Sequence, residues 1–429
     1  MLPTRLLVAY AALALPLAMA ALPVYLHVPA LYAGSQGLAM GTVGAILLAT
    51  RALDAVQDPL LGWWSDRRAA VGRGRAALVV LGALLLGLGM LALFRPPGGD
   101  PFLQGAWLAG SLCLTYLGLS LASIAYLALG TDLTADVHQR TRLAGARATV
   151  GLGGVVLASA LPGLLGGEAG TASGLARFAL VFVPVLVAGV AVVVFGVPEP
   201  ARTGLAAPRS VSSAVLAPWR EARFRWLVVV FVASGVAGAI PATLMLFYVQ
   251  DVLGRPDLLP VFLGLYFLAG AAGMPLWVWA ARRHGKAQAW MAAMVLAMAA
   301  FVWASSLGAG DAVAYGVVCT LSGLAYGAEL ALPPSLLADV AGERGEGGAF
   351  FGYWQATEKL NLALAAGIAL PLLGASGYRP GLAQPAGGDL SLLYALLPCA
   401  IKAMALGLLW FSPLTRGPGA PGPITETPA

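Results

Sequence analysis

Long apolar stretches alternate with short polar connections along most of the 429-residue chain. Each stretch is about as long as the roughly 20 residues that an α-helix needs to cross a bilayer. The apolar runs are continuous rather than alternating, which excludes a transmembrane β-barrel. The pattern therefore predicts an all-α membrane protein with twelve transmembrane helices, at residues 6–32, 38–64, 76–94, 103–130, 143–166, 177–197, 226–250, 258–281, 287–307, 312–338, 349–373 and 389–413.

Composition agrees with this prediction. The chain is 59% hydrophobic and 10% charged, with a mean hydropathy of +0.84, whereas soluble domains carry about 25% charged residues. The lipid bilayer is therefore an expected partner. No soluble domain is predicted that could present the net charge of +6 to nucleic acid. The three cysteines, Cys113, Cys319 and Cys399, lie in apolar runs without pair spacing, so no disulfide, metal cluster or resident cofactor is expected.

The basic residues fall mainly at the chain termini and in every second connection, as in Arg67-Arg68 and Arg282-Arg283. The intervening connections hold isolated arginines, such as Arg95 and Arg255. Cytoplasmic loops of membrane proteins carry an excess of lysine and arginine. We therefore predict a multi-pass protein of the bacterial inner (cell) membrane, monomeric, with both termini in the cytoplasm.

The longest connection divides the spans six and six. It is rich in Pro, Ser and Arg, and the segment 62–68 after the second span recurs loosely as 277–283 after the eighth. The predicted domains are an N-terminal half (1–198), a cytoplasmic linker (199–225), a C-terminal half (226–414) and a disordered cytoplasmic tail (415–429). Two pseudo-symmetric six-helix halves are typical of the major facilitator fold, in which the solute site lies between the halves.

Ionisable residues interrupt the second span. Arg51, Asp54 and Asp58 lie within roughly a 60° arc of one helical face. Ionisable groups at membrane depth are costly, and they normally face a bundle interior or an aqueous cavity. Two carboxylates beside one guanidinium leave a surplus negative charge that a small cation can neutralise. Pro59 is expected to leave the carbonyl of Ala55 free as a further ligand. The alternative is an ion triad that only locks helices together.

Two further charges lie in later spans. Lys359 in the eleventh span is expected to compete with a cation for the carboxylates, because its ammonium group is a compact charge. The alternative is snorkelling to the cytoplasmic boundary beside Glu358. Glu329 in the tenth span is interpreted as a lone carboxylate that carries a proton or binds the solute, or else as a neutral acid bonded to nearby backbone.

Charges of both signs gather at the predicted cytoplasmic helix ends. We predict that Asp66, Arg142 and Asp339 form a gate that closes the cytoplasmic side. The other charges there are interpreted as ordinary helix-end charges.

Four segments resemble the glycoside–pentoside–hexuronide:cation symporters, the melibiose-permease family of the major facilitator superfamily. Arg51 to Arg67 reads R-x-x-D-A-x-x-D-P-x-x-G-x-x-S-D-R, similar to the second-helix signature of that family. Similar matches are found at the fourth-to-fifth-helix junction, the end of the tenth helix and the eleventh helix, in the segments 125–147, 329–340 and 352–367.

The resemblance implies a cation site, with sodium as the metal at Asp54 and Asp58, and a solute site. The implied cation-binding residues are Asp54, Asp58, Gln57, Ser120 and Lys359, with Arg51 as charge partner; the solute-binding residues are Arg147, Ser123, Tyr126, Glu329 and Trp354. Ser123 stands where the family has a sugar-binding carboxylate and Leu127 where it has a stacking tryptophan. These departures argue against a simple galactoside substrate.

The predicted function is a secondary symporter that couples sodium or protons to a small solute, most simply a sugar or glycoside, by alternating access. One alternative is a transporter of lysophospholipid-like or other amphipathic solutes. Another is a membrane-embedded transferase enzyme, which the scattered histidines do not favour.

Overall fold

The computed structural model describes residues 2–32, 38–69, 74–167, 170–198, 211–344, 347–375 and 390–415. In these residues the regular structure is helical. The α-helices are α1 (Thr4–Ala11), α2 (Ala14–Ala30), α3 (Met40–Ala69), α4 (Gly74–Leu93), α5 (Pro101–Asp132), α6 (Val137–Gly166), α7 (Gly170–Gly196), α8 (Val211–Arg220), α9 (Ala222–Phe247), α10 (Leu259–His284), α11 (Lys286–Ala304), α12 (Ala312–Arg344), α13 (Gly347–Ala375) and α14 (Leu397–Phe411). Single π-helical segments, Tyr248–Val252 and Leu392–Leu396, follow α9 and precede α14.

The first predicted span and the predicted linker differ from the observed structure. The first apolar run is divided into α1 and α2. Proline has no N–H, so Pro16 cannot donate to the carbonyl of Ala12, and the helix is interrupted there. The predicted linker contains a helix, α8, whose Trp219 packs edge-on against Phe224 and Tyr353. The predicted disordered tail lies outside the described residues from 416 onward.

Eleven helices of the described chain are long and apolar enough to cross a membrane. The long helix missing from that set is α3, which spans 30 residues and carries Arg51, Asp54 and Asp58. A membrane-spanning helix with three ionisable residues needs polar partners inside the bundle. The all-α membrane fold is confirmed, and twelve spans fit it with α3 as the twelfth.

Two of the four clusters of buried apolar residues in the described chain each lie within one half, whereas the other two join residues of both halves. One cluster draws its members only from residues 7–197, whereas a second consists of residues from 236–395. Contacts between the two parts run through α3 with α13, α5 with α13, and α6 with α10 and α12. These helix pairs therefore position any site that lies between the halves.

The contacts between the halves are concentrated toward one end of the bundle. We call this the basic end; here the last turns of α3, α5 and α12 meet the first turns of α4, α6, α11 and α13. A Cβ atom on Gly62 of α3 would overlap the carbonyl group of Gly348 on α13, and one on Gly352 would overlap the carbonyl of Asp58. A Cβ atom on Gly44 or Gly367, toward the opposite end of the same two helices, would meet no atom within 4 Å.

Candidate functional site

The buried charges of α3 meet the lysine of α13. The Lys359 Nζ lies 2.8 Å from Asp54 Oδ1 and 2.7 Å from Asp58 Oδ2, and it donates to Ser120 Oγ at 2.9 Å. Ser120, on α5, in turn donates to Asp54 Oδ1 at 2.9 Å. Three helices from both halves therefore converge on one ammonium group.

Burial makes this cluster electrostatically demanding. The side chains of Asp54 and Asp58 are 2% and 0% exposed, and that of Lys359 is 16% exposed. The second Asp58 oxygen, Oδ1, is buried and has no hydrogen-bond partner among the described residues. A buried carboxylate oxygen without a partner is costly, so the cluster keeps unused capacity to bind a positive charge.

The remaining predicted members lie at its edge. Gln57 Nε2 donates to Asp54 Oδ1 at 3.1 Å. Arg51 is only loosely paired with Asp54, at 3.8 Å, and its guanidinium lies over the ring of Tyr116 with 37% of its side chain exposed. Arg51 is therefore a peripheral member, and the surplus negative charge of the two aspartates is balanced mainly by Lys359.

Local sequence explains why these groups meet. Asp54 and Asp58 are four residues apart, which places both on one face of α3. Gly352 lets α13 approach the backbone of α3 closely at Asp58. Lys359 lies about two helical turns further along α13, on the same face, and so reaches the carboxylates. The backbone carbonyl nearest the ammonium group is that of Asp54, at 3.5 Å. The expected role of the Ala55 carbonyl remains a prediction.

A second buried charge pair lies in the C-terminal half. Lys402 Nζ on α14 donates to Glu329 Oε1 on α12 at 2.8 Å, and Ser234 Oγ on α9 donates to the same carboxylate at 2.8 and 3.1 Å. The interpretation of Glu329 as a lone carboxylate was therefore wrong. A long-range pairing between α12 and α14 cannot be read from local periodicity.

This pair lines a cavity of about 600 Å³, whose described wall comes from the C-terminal half except for Arg147 of the N-terminal half. The volume is within the range of small-molecule sites. Charged groups on the wall are Arg147 from α6, Glu358 from α13, and Glu329 with Lys402; most of the remaining wall is apolar or aromatic. The cavity therefore offers a few polar groups in an otherwise apolar chamber.

The structure brings only some of the predicted solute-binding residues to this cavity. Arg147 and Glu329 line it, whereas Ser123, Tyr126 and Trp354 are not among the described residues of its wall. The Tyr126 hydroxyl donates to the Tyr10 carbonyl at 2.6 Å, and its ring stacks on that of Tyr10. The Tyr126 side chain is therefore committed to packing inside the N-terminal half.

Trp354 acts on the cavity through its neighbours. Its ring stacks on Phe231 at 3.7 Å between centroids, and its Nε1 donates to Glu358 Oε1 at 2.9 Å. Phe231 and Glu358 do line the cavity. Trp354 therefore positions wall residues rather than forming the wall itself.

The predicted gate residue Asp66 joins the halves at the basic end. Its two carboxylate oxygens accept the backbone N–H groups of Gly348 and Ala349, each at 2.7 Å. The first N–H groups of a helix lack partners within it and carry a positive partial charge. Asp66 of α3 therefore caps the start of α13 and ties the halves together.

Arg75 holds this capping carboxylate in place. Its fully buried guanidinium donates to Asp66 Oδ1 at 2.8 Å, to Asp132 Oδ2 at 2.7 Å and to Ser65 Oγ at 2.8 Å. In the sequence, Arg75 resembles an ordinary basic loop residue, because it lies among other arginines just before an apolar run.

We expect Arg75→Met to lower the thermal unfolding temperature of the purified protein in detergent. The variant leaves two buried carboxylates without their guanidinium, and removing one partner of a buried ion pair costs about 3–5 kcal/mol. Arg68→Met, at an exposed arginine of the same end, is the matched control. Equal unfolding temperatures for the two variants would contradict this role.

The other gate prediction needs a correction. Asp339 pairs with Lys286 at 2.6 Å and, across the halves, with Arg140 at 3.5 Å. Arg142 instead donates to Gln139 within its own helix, at 2.9 Å. Two residues along a helix correspond to a rotation of about 200°, so Arg140 and Arg142 point to different sides. The arginine facing Asp339 is Arg140.

Comparison with known proteins places this arrangement in a family. The family of MFS/sugar transport proteins matches residues 7–416. The inner membrane symporter YicJ of Escherichia coli (strain K12) is 28% identical over 263 residues, which cover 59% of this chain and 55% of YicJ. The putative glycoside/cation symporter YagG of the same organism is 35% identical over 117 residues, which cover 26% of this chain and 24% of YagG. The matched segment thus spans about half the length of YicJ.

Solved structures show the same fold. A bacterial homologue of the iron transporter ferroportin in an outward-facing state superposes with a TM-score of 0.72 at 16% identity, covering 95% of this chain and 98% of that one. The E. coli fucose:proton symporter FucP gives a TM-score of 0.63 at 14% identity, covering 94% and 98%. The human organic anion transporter MFSD10 gives 0.65 at 16%, covering 95% and 100%.

The match along nearly the whole chain, the shared fold and the symporter relatives also exclude a membrane-embedded transferase. The protein belongs to the family of MFS/sugar transport proteins.

Proposed function

We propose that this transporter couples the inward movement of a cation, sodium or a proton, to the uptake of a small solute of the sugar or glycoside class across the bacterial inner membrane. The observation that carries the proposal is the position of the Lys359 ammonium group between Asp54 and Asp58. A tethered positive charge lies there, between groups that suit a free cation equally well.

The charges of the cluster favour exchange of the ammonium group for a cation. Two carboxylates face one lysine, and the loosely held, half-exposed Arg51 compensates the remaining charge only weakly. An incoming sodium ion would be bound by oxygen atoms of Asp54, Asp58 and Ser120, and hard cations prefer oxygen ligands. A proton on either carboxylate would weaken the hold on Lys359 in the same way.

The cation site and the cavity share one helix. On α13, Lys359 contacts the cation site, while Glu358 and Asn361 line the cavity. Release of Lys359 by a cation would change the position or rotation of a segment whose other face binds the solute. This shared segment supports coupling, because each ligand would alter the conformation that the other requires.

The halves are tied together at the basic end. Asp66 with the start of α13 and Arg140 with Asp339 bridge them there. With the basic end in the cytoplasm, as the charge pattern predicts, this is an outward-facing conformation. Alternating access would then require these basic-end contacts to open after both ligands have bound.

Uptake into proteoliposomes tests this function directly. We expect an inwardly directed sodium or proton gradient to drive accumulation of at least one member of a panel of radiolabelled free sugars and 4-nitrophenyl glycosides. Liposomes without protein, and proteoliposomes without a gradient, are the controls. If no member of the panel accumulates under the sodium gradient or under the proton gradient, the proposal is wrong.

An amphipathic solute is the second candidate, and the apolar and aromatic character of most of the cavity wall favours it. Competition separates the two classes. If lysophospholipid, but no glycoside, inhibits labelling of the cavity residue Cys399 by a maleimide, the second candidate is correct.

A further inference from the structure

The charge pair Glu329–Lys402 resembles the cation site in composition but differs in its electrical balance. Each site contains a lysine ammonium group, a carboxylate and a serine hydroxyl within hydrogen-bonding distance of one another. The cation site has two carboxylates for one lysine, whereas the second site has one for one. It also lies wholly within α9, α12 and α14, so it does not bridge the halves.

The donors of this second site are already used. Lys402 Nζ donates to Glu329 Oε1, Ser234 Oγ and the Ser234 carbonyl, at 2.8, 3.1 and 3.3 Å. An ammonium group has three N–H donors, so all three are engaged. Glu329 Oε2, in contrast, accepts only the shared Ser234 hydroxyl among the described residues. The spare capacity of the pair is therefore that of a hydrogen-bond acceptor.

A second acceptor lies beside it. Asn361 Nδ2 donates to the Phe231 carbonyl at 3.2 Å. A carbonyl cannot donate, so this bond fixes the amide with Oδ1 as the free end. Asn361 is 4% exposed and lines the cavity, and its Oδ1 has no partner among the described residues. A Cβ atom on Gly235 would overlap this amide, so Asn361 packs on α9 one residue along the chain from Ser234, and it lines the same cavity as Glu329 and Lys402.

We infer that Glu329 and Asn361 form a subsite in the C-terminal half that binds neutral hydroxyl groups of the solute, and that Lys402 makes the subsite selective for neutral over cationic solutes. The inference rests on the proposed function. A ligand must bring donors, because the unused groups are acceptors. The donors need no charge, because Lys402 already neutralises Glu329. A polyhydroxylated ring fits both requirements, and the aromatic wall offers flat surfaces for its C–H faces.

Lys402 is a positioning residue in this scheme. Without its ammonium group, the Glu329 carboxylate would be an uncompensated anion in a mostly apolar chamber, which favours an amine. The ratio of kcat/KM for a solute with a hydroxyl group to that for its analogue with an amino group at the same ring position therefore reports the role of Lys402. Loss of helix packing alone would lower both values and leave this ratio unchanged.

The test compares wild type with Asn361→Leu, Lys402→Met and Lys402→Arg in proteoliposomes. The probes are the 4-nitrophenyl glycoside transported by the wild type, its monodeoxy analogues and its amino-sugar analogues. We expect the wild type to lose about 10-fold in kcat/KM for at least one deoxy analogue, the effect of one hydrogen bond. Asn361→Leu should raise KM for the parent glycoside about 10-fold. In this variant the parent and one of the deoxy analogues should have the same kcat/KM.

Lys402→Met should reduce the discrimination against the amino analogue by at least about 10-fold, whereas Lys402→Arg should preserve it because the positive charge remains. Thr320→Val, an exposed polar-to-apolar change on α12 outside the cavity wall, is the matched control. If the Asn361 and Lys402 variants transport the parent with wild-type KM and unchanged analogue profiles, the inference is wrong and the proposed function stands. If the wild type accumulates neither a free sugar nor a glycoside, the proposed function fails and this inference with it.

Discussion

Asp58→Asn is expected to abolish gradient-driven uptake while the protein still inserts and folds. The Asp58 side chain is fully buried, with one oxygen 2.7 Å from Lys359 Nζ and the other without a described partner. Asparagine keeps its size but leaves one carboxylate facing one ammonium group, with no surplus charge to attract a cation. Because the number of charged ligands sets the affinity of a site for a cation, we expect gradient-driven uptake to fall by at least about 100-fold.

Two measurements separate lost coupling from lost transport. Uptake is compared with and without the gradient, and solute counterflow, which needs no gradient, reports whether the carrier still moves. Asp257→Asn is the matched control, because Asp257 is an exposed carboxylate that pairs with the neighbouring Arg255. If Asp58→Asn retains gradient-dependent accumulation at the rate of this control, Asp58 has no part in coupling.

The cation cluster was predictable to a different extent for each member. Asp54 and Asp58 follow from helical periodicity and from the cost of charge at membrane depth. Ser120 and Lys359 lie far away in sequence from Asp54. The charge of Lys359 within a span indicated that it competes for the carboxylates, whereas only the family resemblance implied Ser120. The structure brings the predicted residues together, while their function in cation binding remains a proposal.

The pairing of Glu329 with Lys402 could not be predicted from the local sequence pattern. Lys402 lies inside the last apolar run, which is the same signal that singled out Lys359. A buried lysine in a span requires a partner, and Glu329 was an available carboxylate in the same half. Periodicity alone does not show which helices are neighbours, however, and so it could not decide between a paired and a lone Glu329.

The choice of gate residue failed for a related reason. Arg140 and Arg142 have the same charge and nearly the same position, but their side chains lie on different sides of α6. The rotation of a helix about its axis is set by its packing, and α6 packs on both α10 and α12. Neighbouring arginines at a helix end can be distinguished only when the partner helix is known.

The second large effect is expected from Gly62→Ala, which should prevent closure of the basic end. The backbones of α3 and α13 touch at Gly62 and Gly348, and a methyl group on Gly62 would overlap the Gly348 carbonyl. Backbone cannot yield as a flexible side chain does, so α13 must move away. The hydrogen bonds from Gly348 and Ala349 to Asp66 would then break. We expect uptake to fall by at least about 10-fold, since two charge-assisted hydrogen bonds are lost from the closed state.

Distances between the halves provide the readout that distinguishes this effect from misfolding. Spin labels at the exposed positions Arg68 and Arg282, in a background without the three native cysteines, should move apart in Gly62→Ala as the basic end opens. Gly110→Ala is the matched control, because a Cβ atom there meets nothing within 4 Å. Insertion should be normal, because the three atoms nearest to the methyl group all belong to the opposite half. An unchanged label distance with normal uptake would show that the close approach of Gly62 and Gly348 does not hold the basic end shut.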